Sequence, residues 1–171
     1  MAGFLNPETV LKQLRLQKGM VAADFGSGSG GWVIPLAKKL EEGKVFAIDI
    51  LEEPLSALSS KARMEKLFNV QTIRSDVEQT SKMISDSCDL VLMTNLLFEI
   101  KDKRHILEEG KRVLKNGGRI LVVDWKKDAP FGPKEGRALP EDIKKFAEEA
   151  GLKFDKEFEA GPYHYGLVFI K

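Results

Sequence analysis

The sequence predicts an α/β fold: a doubly wound sheet of seven strands, mostly parallel with an antiparallel last strand, and helices on both faces. Three observations predict it. Short apolar runs alternate with stretches whose apolar residues recur at helical spacing. The first run, Val21 to Phe25, empties into the turn Gly26-Ser27-Gly28-Ser29-Gly30-Gly31. The last two runs are only about six residues apart, too close for a crossover, so the final strand must run back antiparallel. With 171 residues, 43% hydrophobic and 31% charged, one domain over 1–171 is expected. It comprises a short helical segment over 1–19 and an α/β core over 20–171.

Each element has a local cause. Asn6-Pro7-Glu8 is a helix start, with Asn as cap, Pro at the first position and an acid in the first turn. After the first strand, Val33, Leu36, Ala37 and Leu40 share a helical face. Gly43 breaks the chain, and Lys44 to Ile50 is a buried strand. Glu52-Glu53-Pro54 starts a helix whose apolar face is Leu55, Leu58 and Ala62. Val70 to Arg74 and Cys88 to Thr94 are the third and fourth strands. Ile106, Leu107, Gly110, Val113 and Leu114 mark a helix, with Asn116-Gly117-Gly118 as its C-cap signal. Arg119 to Trp125 is the fifth strand, and a helix from Pro140 ends at Gly151. Strands over Lys153 to Glu159 and Gly166 to Ile170 close the chain.

Composition narrows the function. Net charge is +1, with no excess of basic residues to grip nucleic acid or an anionic membrane. The one cysteine, Cys88, excludes an intrachain disulfide and a multi-thiol metal site, so no metal is expected. No stretch approaches the roughly 18 apolar residues of a membrane span. The first residues lack the basic-then-apolar order of a signal peptide, so the expected location is cytoplasmic.

In a doubly wound sheet, ligands bind beyond the carboxyl ends of the strands. Five successive strand ends carry polar groups there: Asp24 with Gly26 to Gly30, Asp49, Asp76, Asn95 and Asp124. Each alone is as readily a cap or turn residue; the array is what points to a ligand. Asp49 lies 21 positions beyond Gly28, near the offset of about 20 at which an acid takes ribose hydroxyls. Gly26-x-Gly28-x-x-Gly31 literally satisfies the dinucleotide pattern, which would make the protein an NAD(P)-dependent oxidoreductase. Against that, Asp24 would oppose a pyrophosphate, no basic clamp is present, and little chain is left for a second domain. S-adenosylmethionine, with a cationic ammonium and sulfonium and no phosphate, suits acids beside a glycine turn.

These residues resemble the class I S-adenosylmethionine-dependent methyltransferases. The nearest likeness is to small bacterial and archaeal members related to the ubiquinone/menaquinone C-methyltransferases. DFGSGSG matches the family's (D/E)-x-G-x-G-x-G motif, AIDI its acidic second strand, RSDV its third-strand motif, and KNGGRILVVDW its fifth-strand segment. Asn116 stands where the family usually has proline. The resemblance implies that Asp24, Gly26, Ser27, Gly28 and Gly30 hold the methionine end. It places Asp49 on the ribose, Ile50 and Val77 on the adenine ring, Asp76 on the adenine amino group, and Asn95 near the transferable methyl. Asn95-Leu96-Leu97-Phe98 loosely echoes the N-P-P-Y/F motif of amino-group methyltransferases but lacks both prolines; a strand end leading into a helix is the plainer reading.

Methyl transfer is an in-line displacement that asks mainly for alignment and exclusion of water. A base is needed only if the acceptor must lose a proton. Glu99, Asp124, Tyr163 and His164 are candidates, with Asp124 the best-placed carboxylate and Glu99 more simply a helix-start acid. Asn95 and Asp124 are therefore the catalytic candidates. Lys126 to Leu139 leaves the fifth strand at the functional edge, as a lid or as a solvated linker. His164, in the last hairpin, is either an acceptor-site group or hairpin surface. His105 is expected on the surface and Cys88 buried. The acceptor is expected to be a small molecule. Its site is open, closed by the Lys126 to Leu139 loop, or completed by a second subunit in a homodimer. A donor-binding subunit without catalysis is the alternative function.

Overall fold

The structure, a computed structural model, describes residues 4–171; residues 1–3 of the expected N-terminal segment lie outside the described residues. The chain runs α1 (Pro7–Leu11), β1 (Val21–Phe25), α2 (Val33–Lys39), β2 (Lys44–Asp49), α3 (Glu52–Met64), β3 (Val70–Arg74), β4 (Cys88–Thr94), α4 (Lys103–Val113), β5 (Leu114–Trp125), α5 (Pro140–Glu149), β6 (Lys153–Gly161) and β7 (His164–Ile170). The seven strands form one sheet in the order β3-β2-β1-β4-β5-β7-β6. Only β7 runs against its neighbours, pairing antiparallel with both β5 and β6.

Strand alternation divides the core into two layers. On one face, Ala23, Phe25, Ile120, Val122, Leu167 and Phe169 pack against α4 and α5. On the other, Ala22, Leu92, Leu121, Val123 and Val168 pack against α1, α2 and α3. The chain winds outward from β1 to β3, then crosses back to β4, so the crevice between the ends of β1 and β4 is the topological switch point.

One expectation fails. Asn116-Gly117-Gly118 does not cap α4. The helix ends at Val113, and Leu114 is already extended and paired with Cys88. Arg119 then pairs with Leu90, so residues 115–118 bulge opposite Asp89 alone. Gly117, at φ +78°, makes the bend that lets its N–H reach the Lys171 carbonyl at 3.0 Å, while Lys171 donates to the Gly118 carbonyl at 3.0 Å. The glycines serve the joint between β5 and the last strand.

Candidate active site

The glycine turn is stitched to the second strand and packed from beneath. Gly26 and Ser27 both donate their N–H to the Ile48 carbonyl at 2.9 Å. Gly26, Gly28 and Gly30 all have positive φ, a region that a side chain makes costly. A Cβ on Gly26 would come within 2.7 Å of Leu96, and one on Gly30 within 2.2 Å of Leu58; one on Gly28 would meet nothing within 4 Å. The outer glycines are thus needed for packing, and the middle one faces open space. The helix that follows, α2, is seven residues long and has no side-chain cap.

Beneath the turn lies Asp24, 1% exposed, with neither carboxylate oxygen partnered among the described residues. Burial, with the charge of Asp49 adding to it, pushes its pKa up to about 8. An unpartnered buried carboxyl is costly and calls for a donor or a cation. The buried Ser27 hydroxyl is unpartnered too. Asp49 braces the turn: one oxygen accepts from Gly28 N–H at 2.9 Å, the other from Leu51 N–H at 3.0 Å. Beside it Ile50 and Leu51 expose their apolar side chains. Ile50, Arg74, Asp76 and Gln79 line a cavity of about 450 Å³. Asp76 faces that cavity while accepting from Glu78 N–H at 2.9 Å. The Val77 side chain is buried in the core and does not line that cavity.

At the ends of β4 and β5, Asn95 adopts φ +49°, which Asn tolerates better than most residues, and its side chain is exposed. No helix follows it directly. Leu96 to Ile100 form a tight turn, and α4 waits until Asp102 caps it by accepting from His105 N–H at 2.9 Å. Glu99 therefore starts no helix. Asp124 is fully buried. It accepts from Leu97 N–H at 2.9 Å and from Trp125 N–H at 2.8 Å, and burial outweighs these bonds to raise its pKa to about 6. With its two oxygens on backbone amides, this carboxylate holds the Asn95 turn in place.

Most of the Lys126 to Leu139 segment is exposed, yet it is anchored at several points. Arg137 clasps it, donating to the carbonyls of Pro133, Lys126, Lys127 and Phe131 at 2.7–2.9 Å. A Cβ on Gly132 would meet the Trp125 ring at 2.5 Å, and one on Gly136 the Phe98 carbonyl at 2.6 Å. The loop therefore rests on the ends of β5 and of the Asn95 turn. Arg137→Ala is expected to raise the rate of tryptic cleavage within residues 126–139 at least about ten-fold, with the sheet intact by circular dichroism. An unchanged rate would show that the clasp does not hold the loop. Arg137 has no motif around it, and only its tertiary contacts reveal it.

Loop and hairpin meet in an aromatic cluster. The Phe4 ring lies 4.8 Å from Tyr163, 5.1 Å from Phe131 and 6.0 Å from Trp125. His164 is not hairpin surface: it is 1% exposed and its ring lies tilted against Trp125 at 4.1 Å. Burial, assisted by the charge of Lys126, lowers its pKa to about 4. Cys88 is buried, its thiol pushed up to about 11 by that burial. Among the described residues no three His, Cys, Asp or Glu side chains come together as a metal site, and no helix is long and apolar enough to cross a membrane.

A doubly wound sheet with a glycine turn over a buried acid at its switch point has the layout of a nucleoside-binding domain. The chain matches the family described as methyltransferase domain over residues 23–122. It is 31% identical over 124 residues to demethylmenaquinone methyltransferase of Geobacillus stearothermophilus, a match covering 72% of this chain and 53% of that protein. The chain thus spans about half the length of the curated relatives it matches. Its fold overlays the crystal structure of a SAM-dependent methyltransferase from Aquifex aeolicus with a TM-score of 0.90 at 30% identity, covering 98% of this chain and 90% of that one. The cyclase SpnF overlays with a TM-score of 0.83 at 16% identity, covering 96% of this chain and 79% of that one; this likeness is of fold alone. The chain belongs to the class I S-adenosylmethionine-dependent methyltransferase family. Its cofactor is S-adenosylmethionine, and the unpartnered Asp24 carboxyl and the open space at Gly28 fit that molecule.

Proposed function

We propose that the chain transfers the methyl group of S-adenosylmethionine to a small ring-bearing acceptor that approaches over the ends of β4 and β5. The observation that carries this is the buried, unpartnered Asp24 carboxyl beneath the glycine turn. The name of its demethylmenaquinone-methylating relatives supports a quinol-like acceptor. Bound S-adenosylmethionine supplies an electrophilic methyl on a sulfonium. Asp24 and the turn from Gly26 to Gly30, with the Ser27 hydroxyl, receive the methionine end. Asp49 keeps lone pairs free for the ribose while it braces Gly28. Ile50 covers one side of the adenine, and Asp76 accepts from its amino group. Asn95 presents its amide beside the donor, and Asp124 acts one step back by holding the Asn95 turn. The Arg137-clasped loop excludes water from the acceptor side. We place the protein in the cytoplasm; a second subunit is one further way to cover the site, and light scattering on the full chain decides its oligomeric state.

Calorimetry with S-adenosylmethionine and with NAD tests the donor. Only the first is expected to bind, and the reverse result removes the reading. Asp49→Ala is expected to weaken S-adenosylhomocysteine binding at least about ten-fold, because the turn loses its brace and the ribose its acceptor; unchanged affinity discredits that assignment. Methyl transfer to naphthohydroquinone under anaerobic conditions tests the catalysis. Donor binding without turnover across a panel of quinols, phenols and amines would instead favour a donor-binding subunit without catalysis.

A further inference from the structure

His164 is a polar group in need of a partner. Both ring nitrogens are buried, and neither makes a hydrogen bond among the described residues. An imidazole always carries at least one N–H, and the neutral form also presents a bare nitrogen, so two capacities go unused. Its place in the sheet is informative. Asp24 pairs opposite Leu92, Leu92 opposite Leu121, and Leu121 opposite Val168. Alternation along β5 and β7 then puts Trp125 and His164 on the same sheet face as Asp24. In strand order β7 stands two strands beyond β4, about 10 Å at ordinary strand spacing, a reach suited to a fused two-ring molecule. Trp125 is the cross-strand partner of His164, their rings side by side at 4.1 Å and tilted by 43°, and against Trp125 lies Phe4, half-exposed and contributed by a segment outside the sheet.

The geometry points to His164 as the group that hydrogen-bonds a ring oxygen of the acceptor, with Trp125 as the surface on which that ring stacks after Phe4 moves aside. This rests on the methyl-transfer reading and adds a specificity residue to it. In this role His164 itself moves no proton; the proton the acceptor loses on methylation leaves to solvent. A neutral imidazole offers a donor to a carbonyl oxygen or an acceptor to a hydroxyl, and either satisfies a group that the folded chain leaves unsatisfied.

The test uses the full chain with S-adenosylhomocysteine bound and two probes of similar shape, naphthohydroquinone and naphthalene. Naphthohydroquinone is expected to shift the His164 imidazole nitrogens in NMR spectra, with His105, the other histidine, assigned through His105→Gln; naphthalene is expected not to. His164→Phe is expected to weaken naphthohydroquinone binding about ten-fold or more, to leave naphthalene binding unchanged, and to unfold no more easily than the parent, since it removes two unpaired polar atoms. His164→Gln, which also offers a donor and an acceptor, is expected to recover part of the loss. Equal binding of naphthohydroquinone by parent and His164→Phe overturns the proposal. So does a His164→Phe variant that is markedly less stable than the parent, which would make the imidazole a structural group. Failure of the parent to bind S-adenosylhomocysteine at all would instead count against the methyl-transfer reading.

Discussion

Asp24→Asn is expected to unfold less easily than the parent at neutral pH and above, and to bind S-adenosylhomocysteine at least about ten-fold more weakly. The two effects have opposite signs because the carboxyl is unpartnered in the free protein and is proposed to meet the ligand's ammonium in the complex. In the unfolded chain the group ionises near pH 4, whereas burial holds it protonated in the fold until about 8. Stability from this group is therefore fully present below pH 4 and drains away as pH rises toward 8, by on the order of 4 kcal/mol at neutrality. Asp124, raised to about 6, drains in the same direction over the lower half of that window. His164, lowered to about 4, acts oppositely, losing stability as pH falls from its unfolded value of about 6.5. The difference between parent and Asp24→Asn isolates the first group. Chemical denaturation across pH, with calorimetry in buffers of unlike ionisation enthalpy, reads both consequences: the parent should release close to one proton per ligand at neutral pH, and the variant none. Equal affinity in the two proteins would sink the ammonium assignment.

Asp124→Ala is expected to cost about 3 kcal/mol in urea denaturation and to reduce turnover far more than donor affinity. The amides of Leu97 and Trp125 lose their buried acceptor, and the Asn95 turn loses the support that sets its left-handed residue. Asp124→Asn keeps one carbonyl oxygen and should lie between. A variant as stable as the parent would show that the carboxylate does not hold the turn.

Much of this was readable from local pattern. β1, β3 and β4 run where their apolar runs do, and Asn6, Glu52 and Pro140 begin helices by local chemistry, with Asn6 accepting from Thr9 N–H. The edge acids were readable because strand ends in this topology converge on one crevice. What escaped depends on partners distant in sequence. Gly117 looks like a helix cap until Lys171 is seen beside it. Arg137 sits in a charged loop, and nothing nearby in sequence says that its guanidinium finds four carbonyls. Asp124 and His164 follow the register of β5 against β7, which decides whether a polar residue at an edge looks outward or is sealed in. The sealed ones proved to be Asp24, Asp124 and His164.

The packing of the glycine turn also sets the order in which the molecule can assemble. Gly26 lies against Leu96 and Gly30 against Leu58, so the turn settles only after residues from beyond β4 and from α3 have arrived. The β1–β4 pairing that brings Leu96 there joins segments almost 70 residues apart, Ala22 with Leu90, and contacts of such separation form late and slowly. The nucleoside crevice is therefore among the last features to mature during folding. Ligand-binding competence, followed in time after dilution from denaturant, should lag the recovery of helical signal and serve as a clock for the final step.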